Sequence, residues 1–371
     1  MIYFDNSATS LIKPYIVKKE VLNAIENLSA NPGRSGHDLS LKVSQKIFET
    51  RENLKRFFHA QNYDIAFTKN CTEAINLVLF SMLEKGDHVL CSCYEHNSVL
   101  RPLEQLKKQG VEVEILWCDL KEFSNEFESK IKPNTKLVVT TYVSNVTGEI
   151  CDVFSVAEKC KKHKIKYLID AAQACGHIEI NLGKIDADFL TFSGHKGLLS
   201  ITGVGGLFYK NISDLKPLIF GGTGVFSDLL NQDKIMLEDL EAGTIPSIPI
   251  ISLNAGICFL SENFSKILTK EHVLSEKLHE KLLKINNLII YHHFNYSTVF
   301  LINIKNKDCG YVANELNERY KICVRSGLHC APLIHKKLKT DGAVRISLNF
   351  NNTEEEIDYL CFALNKIANE K

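Results

Sequence analysis

Apolar residues in the first two thirds of the chain occur in short, unbroken runs, and these runs alternate with stretches of helical periodicity. The predicted strands are 64–68, 88–91, 111–117, 136–142 and 167–170, and the predicted helices between them are 72–83, 99–108 and 153–162. Strands that are apolar at every position are buried on both faces, which is typical of a parallel sheet covered by helices. The strand–helix alternation therefore predicts an α/β fold built on a mostly parallel sheet.

The pattern changes after about residue 255. A long, charged helical stretch at 265–284 precedes predicted strands at 288–292 and 298–304, a helix at 311–320, and strands at 322–325 and 344–348. Thr353, followed by three glutamates, predicts the start of a last helix, because threonine caps helix N-termini and acidic residues favour their first turn. For 371 residues two domains are expected. They are a large domain at 14–255 and a smaller α+β domain made of 1–13 and 256–371.

Composition and charge narrow the class of protein. Lys plus Arg and Asp plus Glu number 44 each, so no net field attracts nucleic acid or an anionic membrane surface. No apolar run approaches the roughly 20 residues of a membrane span, and the first residues lack the pattern of a secretory signal. The twelve cysteines include no Cys-x-x-Cys pair and are best interpreted as reduced thiols. We therefore expect a cytoplasmic protein without a metal site.

Lys196 is the first candidate for chemistry. It follows Ser193-Gly194-His195 and lies between an apolar strand and a glycine-rich stretch. A lone loop lysine is usually solvated. Apolar flanks indicate partial burial, however, and burial lowers the pKa of an ammonium, so that the neutral amine can form a Schiff base with an aldehyde. Ser193 and His195 add the donors that a phosphate needs.

Two further segments follow predicted strands. Asp170 ends the strand 167–170, at the carboxyl edge of a parallel sheet where ligands bind. It suits a pyridinium nitrogen, with a helix N-cap as the alternative, and Gln173 is placed to donate to a ring phenolate oxygen. Thr72 opens the helix 72–83, whose free amide groups and positive dipole end suit a phosphate, whether or not Thr72 also caps the helix.

His96, Cys330 and Arg345 complete the set of candidates. The imidazole of His96, after an apolar strand, is suited to stack on a flat cofactor ring, with an ordinary surface histidine as the alternative. Cys330 follows Arg325 and His329 in a loop bounded by glycine and proline, which is the setting of a nucleophilic thiolate. Arg345 opens an apolar strand and can hold a carboxylate bidentately, with a structural ion pair as the alternative.

Taken in order along the chain, these segments resemble the cysteine desulfurases of the class V aminotransferase group. The similarity begins at Tyr3-Phe4-Asp5-Asn6-Ser7-Ala8-Thr9 and ends at Arg345, so it covers nearly the whole chain. It implies the fold-type I architecture of pyridoxal-phosphate enzymes, with a mostly parallel seven-stranded sheet in the large domain and a smaller α+β C-terminal domain. The compact loop from Arg325 to Pro332 resembles the branch that includes selenocysteine lyases.

The resemblance implies a site for pyridoxal 5′-phosphate. Lys196 would carry the cofactor as a Schiff base, His96 would stack on its ring, and Asp170 would pair with the ring nitrogen. Further cofactor contacts are implied for Gln173, Thr72, Glu73, Ser193 and His195. Thr244, in Glu241-Ala242-Gly243-Thr244, would reach the cofactor of a partner subunit, which implies a homodimer. Substrate contacts are implied for Asn145, Arg345 and His37.

The resemblance also implies the reaction. Lys196 would remove the α-proton of L-cysteine, and the Cys330 thiolate would attack the substrate sulfur, giving alanine and a persulfide on Cys330. A short loop limits the reach of that sulfur, so a dedicated acceptor protein is expected, serving iron–sulfur cluster or other sulfur biosynthesis. The alternatives are a selenocysteine lyase, which would depend less on its cysteine, and, less favoured, an aminotransferase of the same fold.

Overall fold

The computed structural model describes residues 1–33, 36–225, 228, 235–291 and 297–370. Its strands are β1 (Ile2–Tyr3), β2 (Asp64–Thr68), β3 (His88–Ser92), β4 (Glu112–Leu116), β5 (Thr135–Thr141), β6 (Lys166–Asp170), β7 (Phe189–Ser193), β8 (Gly205–Tyr209), β9 (Leu288–Ile290), β10 (Val299–Ile304), β11 (Ile322–Cys323), β12 (Arg325–Gly327) and β13 (Ala343–Ser347). Its helices are α1 (Tyr15–Asn27), α2 (Asp38–Phe57), α3 (Cys71–Met82), α4 (Asn97–Lys108), α5 (Phe123–Glu126), α6 (Val153–His163), α7 (Leu182–Ile185), α8 (Leu237–Leu240), α9 (Ser247–Leu282), α10 (Cys309–Tyr320), α11 (Pro332–Lys337) and α12 (Glu354–Asn369). Two short 3₁₀ helices cover Phe127–Lys130 and Ile212–Asp214.

Seven strands form the central sheet in the order β2-β8-β7-β6-β5-β3-β4. β8 runs antiparallel to both of its neighbours, and the other pairs in this sheet are parallel. Successive residues of β6 enter different hydrophobic cores, Leu168 on one face and Ile169 on the other. Both faces of the sheet are therefore buried, which confirms the α/β fold that the unbroken apolar runs predict.

The strand directions decide where ligands can bind. The carboxyl ends of β2, β3, β5, β6 and β7 lie at the same edge of the sheet. The segments that follow these strands therefore meet at that edge, although they are far apart in the chain. Carboxyl edges of parallel sheets are the usual ligand sites of α/β folds, because the loops that leave the strands form a crevice there.

A second, antiparallel sheet has the order β12-β13-β10-β9, and β1 pairs in parallel with β11. In the four-stranded sheet, Arg325 of β12 lies opposite Arg345 of β13. The long helix α9 contacts α1 and α2, which precede the central sheet in the chain, and α12, which follows the last strand of the smaller sheet. Because α9 runs without a break through residue 255, the domain boundary expected there stays a prediction.

Three elements differ from the sequence-based expectation. The helix expected at 265–284 is the second half of α9, whose first half is apolar and buried and so lacks a charged face. The glycine-rich stretch after Lys196 includes a strand, β8. Two glycines weaken strand propensity, but they are required here, since a Cβ at Gly206 would lie 2.5 Å from the ring of Phe192. The strand expected at 288–292 ends at Ile290, and residue 292 lies outside the described residues.

The last helix, α12, begins where the sequence predicts, directly after Thr353. Thr353 caps α12 by accepting the amide hydrogen of Glu356, and the Glu356 carboxylate accepts that of Thr353 in return. This reciprocal arrangement is a capping box. In the part of the chain that the structure describes, no helix is both long and apolar enough to span a membrane. All twelve cysteines lie within that part, and none is in a disulfide.

Candidate active site

A cleft of about 220 Å³ lies at the carboxyl edge of the central sheet. Its walls come from the ends of β2, β3, β5, β6 and β7 and the segments after them, and from Ser7 and Ala8 near the N-terminus. Arg325 and Arg345 of the smaller sheet, and His329 after β12, complete the lining. The predicted site residues that line it are Thr72, His96, Asn145, Asp170, Gln173, Ser193, His195, Lys196 and Arg345. The fold therefore brings most of the predicted site together.

A second cavity, of about 240 Å³, lies between α2 and residues 237–245. Its charged groups include Arg51 and Glu241, which form an ion pair at 2.6 Å. Among the described residues that line it there is no lysine, cysteine or histidine. The described lining of this cavity thus offers neither an amine nor a thiol, and we assign the chemistry to the cleft that contains Lys196.

Lys196 lies in a tight loop after β7. Desolvation lowers the pKa of its ammonium, while the Asp170 carboxylate acts in the opposite direction. The N-terminal segment holds this loop, because the Ser10 hydroxyl donates to the carbonyls of His195 and Lys196 at 3.1 and 3.0 Å. Gly197 follows at a point where a Cβ would collide with the carbonyl of Cys175. The backbone that carries the amine is thus held in place, and desolvation makes the amine easier to deprotonate.

Asp170, the last residue of β6, is only 5% exposed. Its Oδ1 accepts the amide hydrogen of Ala172 at 2.9 Å and lies 3.5 Å from the Sγ of Cys71. Gln173 lies on the same wall, where its amide nitrogen donates to the carbonyl of Ser7 at 2.9 Å. The carboxylate therefore has one anchored oxygen and faces the cleft.

His96 caps α4, since its Nδ1 accepts the amide hydrogen of Ser98 at 3.0 Å. Desolvation lowers the pKa of this imidazole to about 4, with Asp170 opposing the shift. The ring is therefore neutral at pH 7, and because Nδ1 accepts, the proton is assigned to Nε2. The Ser98 hydroxyl also lies 2.7 Å from the Thr72 hydroxyl, so it joins His96 to the first turn of α3. Sequence reasoning missed Ser98, although a residue two positions after a helix N-cap is a usual partner of the capping side chain.

Glu95 is a second group that sequence reasoning missed. Its side chain is completely buried, and its Oε1 accepts hydrogen bonds from the Ser92 hydroxyl and from the Thr141 amide. Its Oε2 has no partner among the described residues. Desolvation raises the pKa of Glu95 to about 8, so this carboxyl is protonated at neutral pH.

Arg345 is 1% exposed, and its guanidinium is already engaged. It donates to Oδ1 of Asp5 at 2.7 Å and to the carbonyl of Asn145 at 3.1 Å. The Arg345 Nε has no partner among the described residues. Asp5, in the N-terminal motif, is a further residue that the sequence did not single out for a role, and it orients this arginine.

The Cys330 thiol lies beside the cleft, in a loop that departs from ordinary backbone geometry. His329 and Cys330 have φ angles of +50° and +57°, a left-handed conformation that costs non-glycine residues energy. Two hydrogen bonds hold the loop: the Asn97 amide donates to the Cys330 carbonyl at 2.6 Å, and the Asn145 amide nitrogen donates to the His329 carbonyl at 2.8 Å. The Arg325 guanidinium lies 3.7 Å from the Cys330 Sγ.

Two imidazoles pack under this loop. His329 donates from Nε2 to the Arg325 carbonyl at 3.3 Å, so its Nδ1 accepts from Nε2 of His335 at 3.2 Å. Desolvation lowers the pKa of His329 to about 3 and that of His335 to about 4. Both rings are neutral at pH 7, and the acceptor role of Nδ1 itself requires His329 to be neutral.

Besides Cys330, three predicted residues do not line the cleft, and the roles of all the predicted site residues stay predictions. The Glu73 carboxylate accepts the Lys69 amide hydrogen at 2.6 Å, as a helix cap does. His37 is exposed and caps α2 through Nδ1. Thr244 is exposed and lies near the cavity of Glu241 rather than near Lys196.

Comparison with known proteins identifies the class to which this fold and this cleft belong. The model of the class-V aminotransferase family matches residues 2–360. A probable cysteine desulfurase of Methanothermobacter thermautotrophicus is 34% identical, over 99% of this chain and 94% of its own, and one of Pyrococcus abyssi is 36% identical over the same shares. The structure of a cysteine desulfurase from Thermococcus onnurineus has a TM-score of 0.91 and 33% identity, covering 99% of this chain and 94% of its own. The chain therefore belongs to the cysteine desulfurase family, a group of pyridoxal-phosphate enzymes within class V.

Proposed function

We propose that this chain removes the sulfur of L-cysteine and takes it onto Cys330, with pyridoxal phosphate bound at Lys196. One observation carries the proposal: the lysine and the thiol flank a single cleft. Arg325 lines that cleft and also lies 3.7 Å from the Cys330 Sγ. A desulfurase needs an amine that removes the α-proton of the substrate and a thiol that takes up its sulfur. The lysine and the cysteine beside this cleft can fill these two roles.

The residues of the cleft fit this cofactor. The aldehyde would bind to Lys196, the ring nitrogen to the free oxygen of Asp170, and the ring face to the neutral imidazole of His96. The phosphate would lie at the start of α3, where the first amide groups of a helix lack intrahelical partners. The hydroxyls of Thr72 and Ser98, 2.7 Å apart, add donors there. When bound, the cofactor supplies an electron sink for the substrate's α-carbon.

Lys196 is the group proposed to move the α-proton. Its pKa is lowered by desolvation, so a larger fraction of the side chain is the neutral amine that can accept a proton. Ser10 and Gly197 hold the backbone on which this amine is mounted. The same amine can return the proton when alanine forms.

Arg345 is proposed to bind the substrate carboxylate, with Asp5 and the Asn145 carbonyl orienting its guanidinium. Arg325, its cross-strand neighbour, lies 3.7 Å from the Cys330 Sγ and can donate a hydrogen bond to it. The thiolate attacks the substrate sulfur, an S–S bond forms, and the substrate C–S bond breaks with its electron pair passing to carbon.

A homodimer is supported by the position of Thr244. This residue is exposed and lies outside its own chain's cleft, while the nearby Glu241 is fixed by its ion pair with Arg51 and by the Phe67 amide, each at 2.6–2.7 Å. A Thr244→Val variant should weaken cofactor binding about tenfold, because a phosphate loses one donor. Thr269→Val, on the exposed face of α9, is the control. Light scattering that finds a monomer with full cofactor affinity would contradict the shared site.

A separate acceptor protein is supported by the short tether of Cys330. Hydrogen bonds at the carbonyls of His329 and Cys330 leave the thiol little reach. We expect the persulfide to accumulate on Cys330 when no acceptor or reductant is supplied, as read by the mass of the intact chain. Rapid loss of that sulfur to water or to a second cysteine of the same chain would argue against the need for an acceptor.

The deciding experiment measures alanine and sulfide from L-cysteine plus reductant for wild type, Cys330→Ala and the control Cys258→Ala. Cys258 is exposed on α9, away from the cleft. We expect loss of both products in Cys330→Ala alone, with the cofactor absorbance unchanged. Full alanine production by Cys330→Ala would overturn the role of Cys330, and turnover confined to L-selenocysteine would favour the lyase.

A further inference from the structure

Cys71 is a second thiol at the site, and the reaction proposed above does not use it. It is the first residue of α3 and is only 7% exposed. Its Sγ lies 3.5 Å from Oδ1 of Asp170, a residue 99 positions away in the chain. The side chain of Cys71 also lies close to Thr191 and Lys196.

We propose that Cys71 is a positioning residue whose thiol donates to Oδ1 of Asp170 and thereby turns Oδ2 toward the ring nitrogen of the cofactor. This inference rests on the proposed function, because it gives Asp170 the role of nitrogen partner. It adds a residue that prepares the carboxylate before the cofactor binds.

The direction of the hydrogen bond follows from the surroundings. Burial and the Asp170 charge raise the pKa of Cys71 well above its usual range, while Thr191 and Lys196 oppose the shift. The sulfur therefore keeps its proton at neutral pH, so the thiol is the donor and the carboxylate the acceptor.

A second donor acts on the same oxygen. The amide of Ala172 donates to Oδ1 of Asp170 at 2.9 Å. With Cys71, Oδ1 has two donors, whereas Oδ2 has no hydrogen-bonding partner among the described residues. Donors that hold one oxygen fix the plane of the carboxylate, and Asp170 lines the cleft. The oxygen left free is the one available to a ligand.

The close approach of Cys71 to Asp170 depends on a glycine in the sheet. Gly205, at the start of β8, pairs with Thr68 on one side and with Ser193 on the other. A Cβ at Gly205 would lie 2.5 Å from the carbonyl carbon of Asn70 and 2.7 Å from the nitrogen of Cys71. Only glycine at this position lets the first turn of α3 pack so close to the strand ends.

Cys175 offers a matched control. It is also a buried cysteine, 1% exposed, and burial followed by the Asp170 charge raises the pKa of its thiol as well. It makes no hydrogen bond to Asp170 among the described residues. Replacing either cysteine by alanine removes the same atoms from the same neighbourhood, so a difference between the two variants isolates the hydrogen bond.

The test measures dissociation constants of the apo protein for pyridoxal phosphate and for its 1-deaza analogue, which lacks the ring nitrogen. The ratio of the two constants reports the Asp170 interaction and cancels general damage to the site. We expect the wild-type preference for pyridoxal phosphate to fall about tenfold in Cys71→Ala, the size of a hydrogen bond to a charged group. Cys71→Ser, which keeps a donor, should retain most of the preference, and Cys175→Ala all of it.

The Asp170→Asn variant distinguishes a failure of the role of Cys71 from a failure of the role of Asp170. If Asp170→Asn loses the preference while Cys71→Ala keeps it, Cys71 only packs and the inference fails alone. An equal fall in Cys71→Ala and Cys175→Ala would also overturn it. If wild type shows no preference for the ring nitrogen, the role of Asp170 in the proposed function fails and takes this inference with it.

Discussion

The two ends of the cleft are held by different means. The lysine end, with Lys196 and Asp170, is mounted directly on the ends of β6 and β7, so its geometry follows from the central sheet. The cysteine loop, residues 328–331, follows a three-residue edge strand and has two left-handed residues in succession. Hydrogen bonds from Asn97 and Asn145 hold that loop.

This difference in support predicts a difference in local stability between the two ends. Side chains on strand ends share the stability of the whole sheet, whereas a loop with a costly backbone conformation persists only while its contacts last. The acid–base groups differ too: the lysine end buries a protonated carboxyl, Glu95, and the cysteine loop rests on two neutral imidazoles, His329 and His335. The cysteine end therefore depends more on its hydrogen bonds to neighbouring segments than the lysine end does.

Removing the amine should have the largest effect. Lys196→Ala is expected to lower alanine formation by at least about 10³-fold, since it removes both the proposed general base and the proposed covalent attachment of the cofactor. The measurement is alanine formed under saturating L-cysteine, with the visible absorbance of the cofactor recorded in parallel. Lys210→Ala, whose lysine pairs with Asp186 far from the cleft, is the control. Turnover within tenfold of wild type would show that the lysine end is not where the chemistry begins.

Asp5→Ala should break the ion pair that joins the N-terminal segment to Arg345 of the smaller sheet. It leaves the Arg345 guanidinium, 1% exposed, without its carboxylate partner. An uncompensated buried charge costs about 3 kcal/mol, so we expect a fall of that size in the free energy of unfolding by urea. Asp228→Ala, at an exposed position, serves as the control. A change below about 1 kcal/mol would mean that the ion pair does not couple the N-terminal segment to the smaller sheet.

Glu95→Gln should make the protein more stable than wild type, and by a larger margin at higher pH. An unfolded chain releases the Glu95 proton near pH 4.5, whereas the folded protein holds it to about pH 8. Stability therefore falls as pH rises between these values, by up to about 1.4 kcal/mol for each pH unit. The variant removes this loss, and its melting temperature relative to wild type should increase from pH 5 to pH 8. A constant difference across that range would contradict the protonated state of Glu95.

The two imidazoles under the cysteine loop should make the protein less stable in acid, and this is the smallest effect that we expect. Unfolded imidazoles bind protons near pH 6.5, but the folded His329 and His335 do so only near pH 3 and pH 4. Stability is therefore lost as pH falls through this range. His335→Gln keeps a donor toward His329 and removes one titrating ring, so it should recover about 1 kcal/mol of the loss between pH 7 and pH 5. Melting curves of both proteins at the two pH values measure this, and equal losses would exclude the imidazole pair as the cause.

Much of the lysine end could be predicted from the sequence, because its residues directly follow strands with a clear apolar pattern. The strand 64–68 and the cap at Thr353 are where the pattern places them. The order β2-β8-β7 could not be read from the chain, since the two glycines of β8 conceal a strand. The start of α9 was concealed as well, because a helix buried on several sides has no charged face.

The sequence by itself determined the family, the α/β class and the residue types that carry the chemistry, because local pattern and motif order are properties of the chain. Tertiary structure alone decided which groups restrain them: Asp5 on Arg345, Ser98 on Thr72, and Cys71 on Asp170. The physical reason is distance along the chain. A hydrogen bond between residues 99 or 340 positions apart depends on how strands are ordered and how closely helices approach them, and no spacing in the sequence records either.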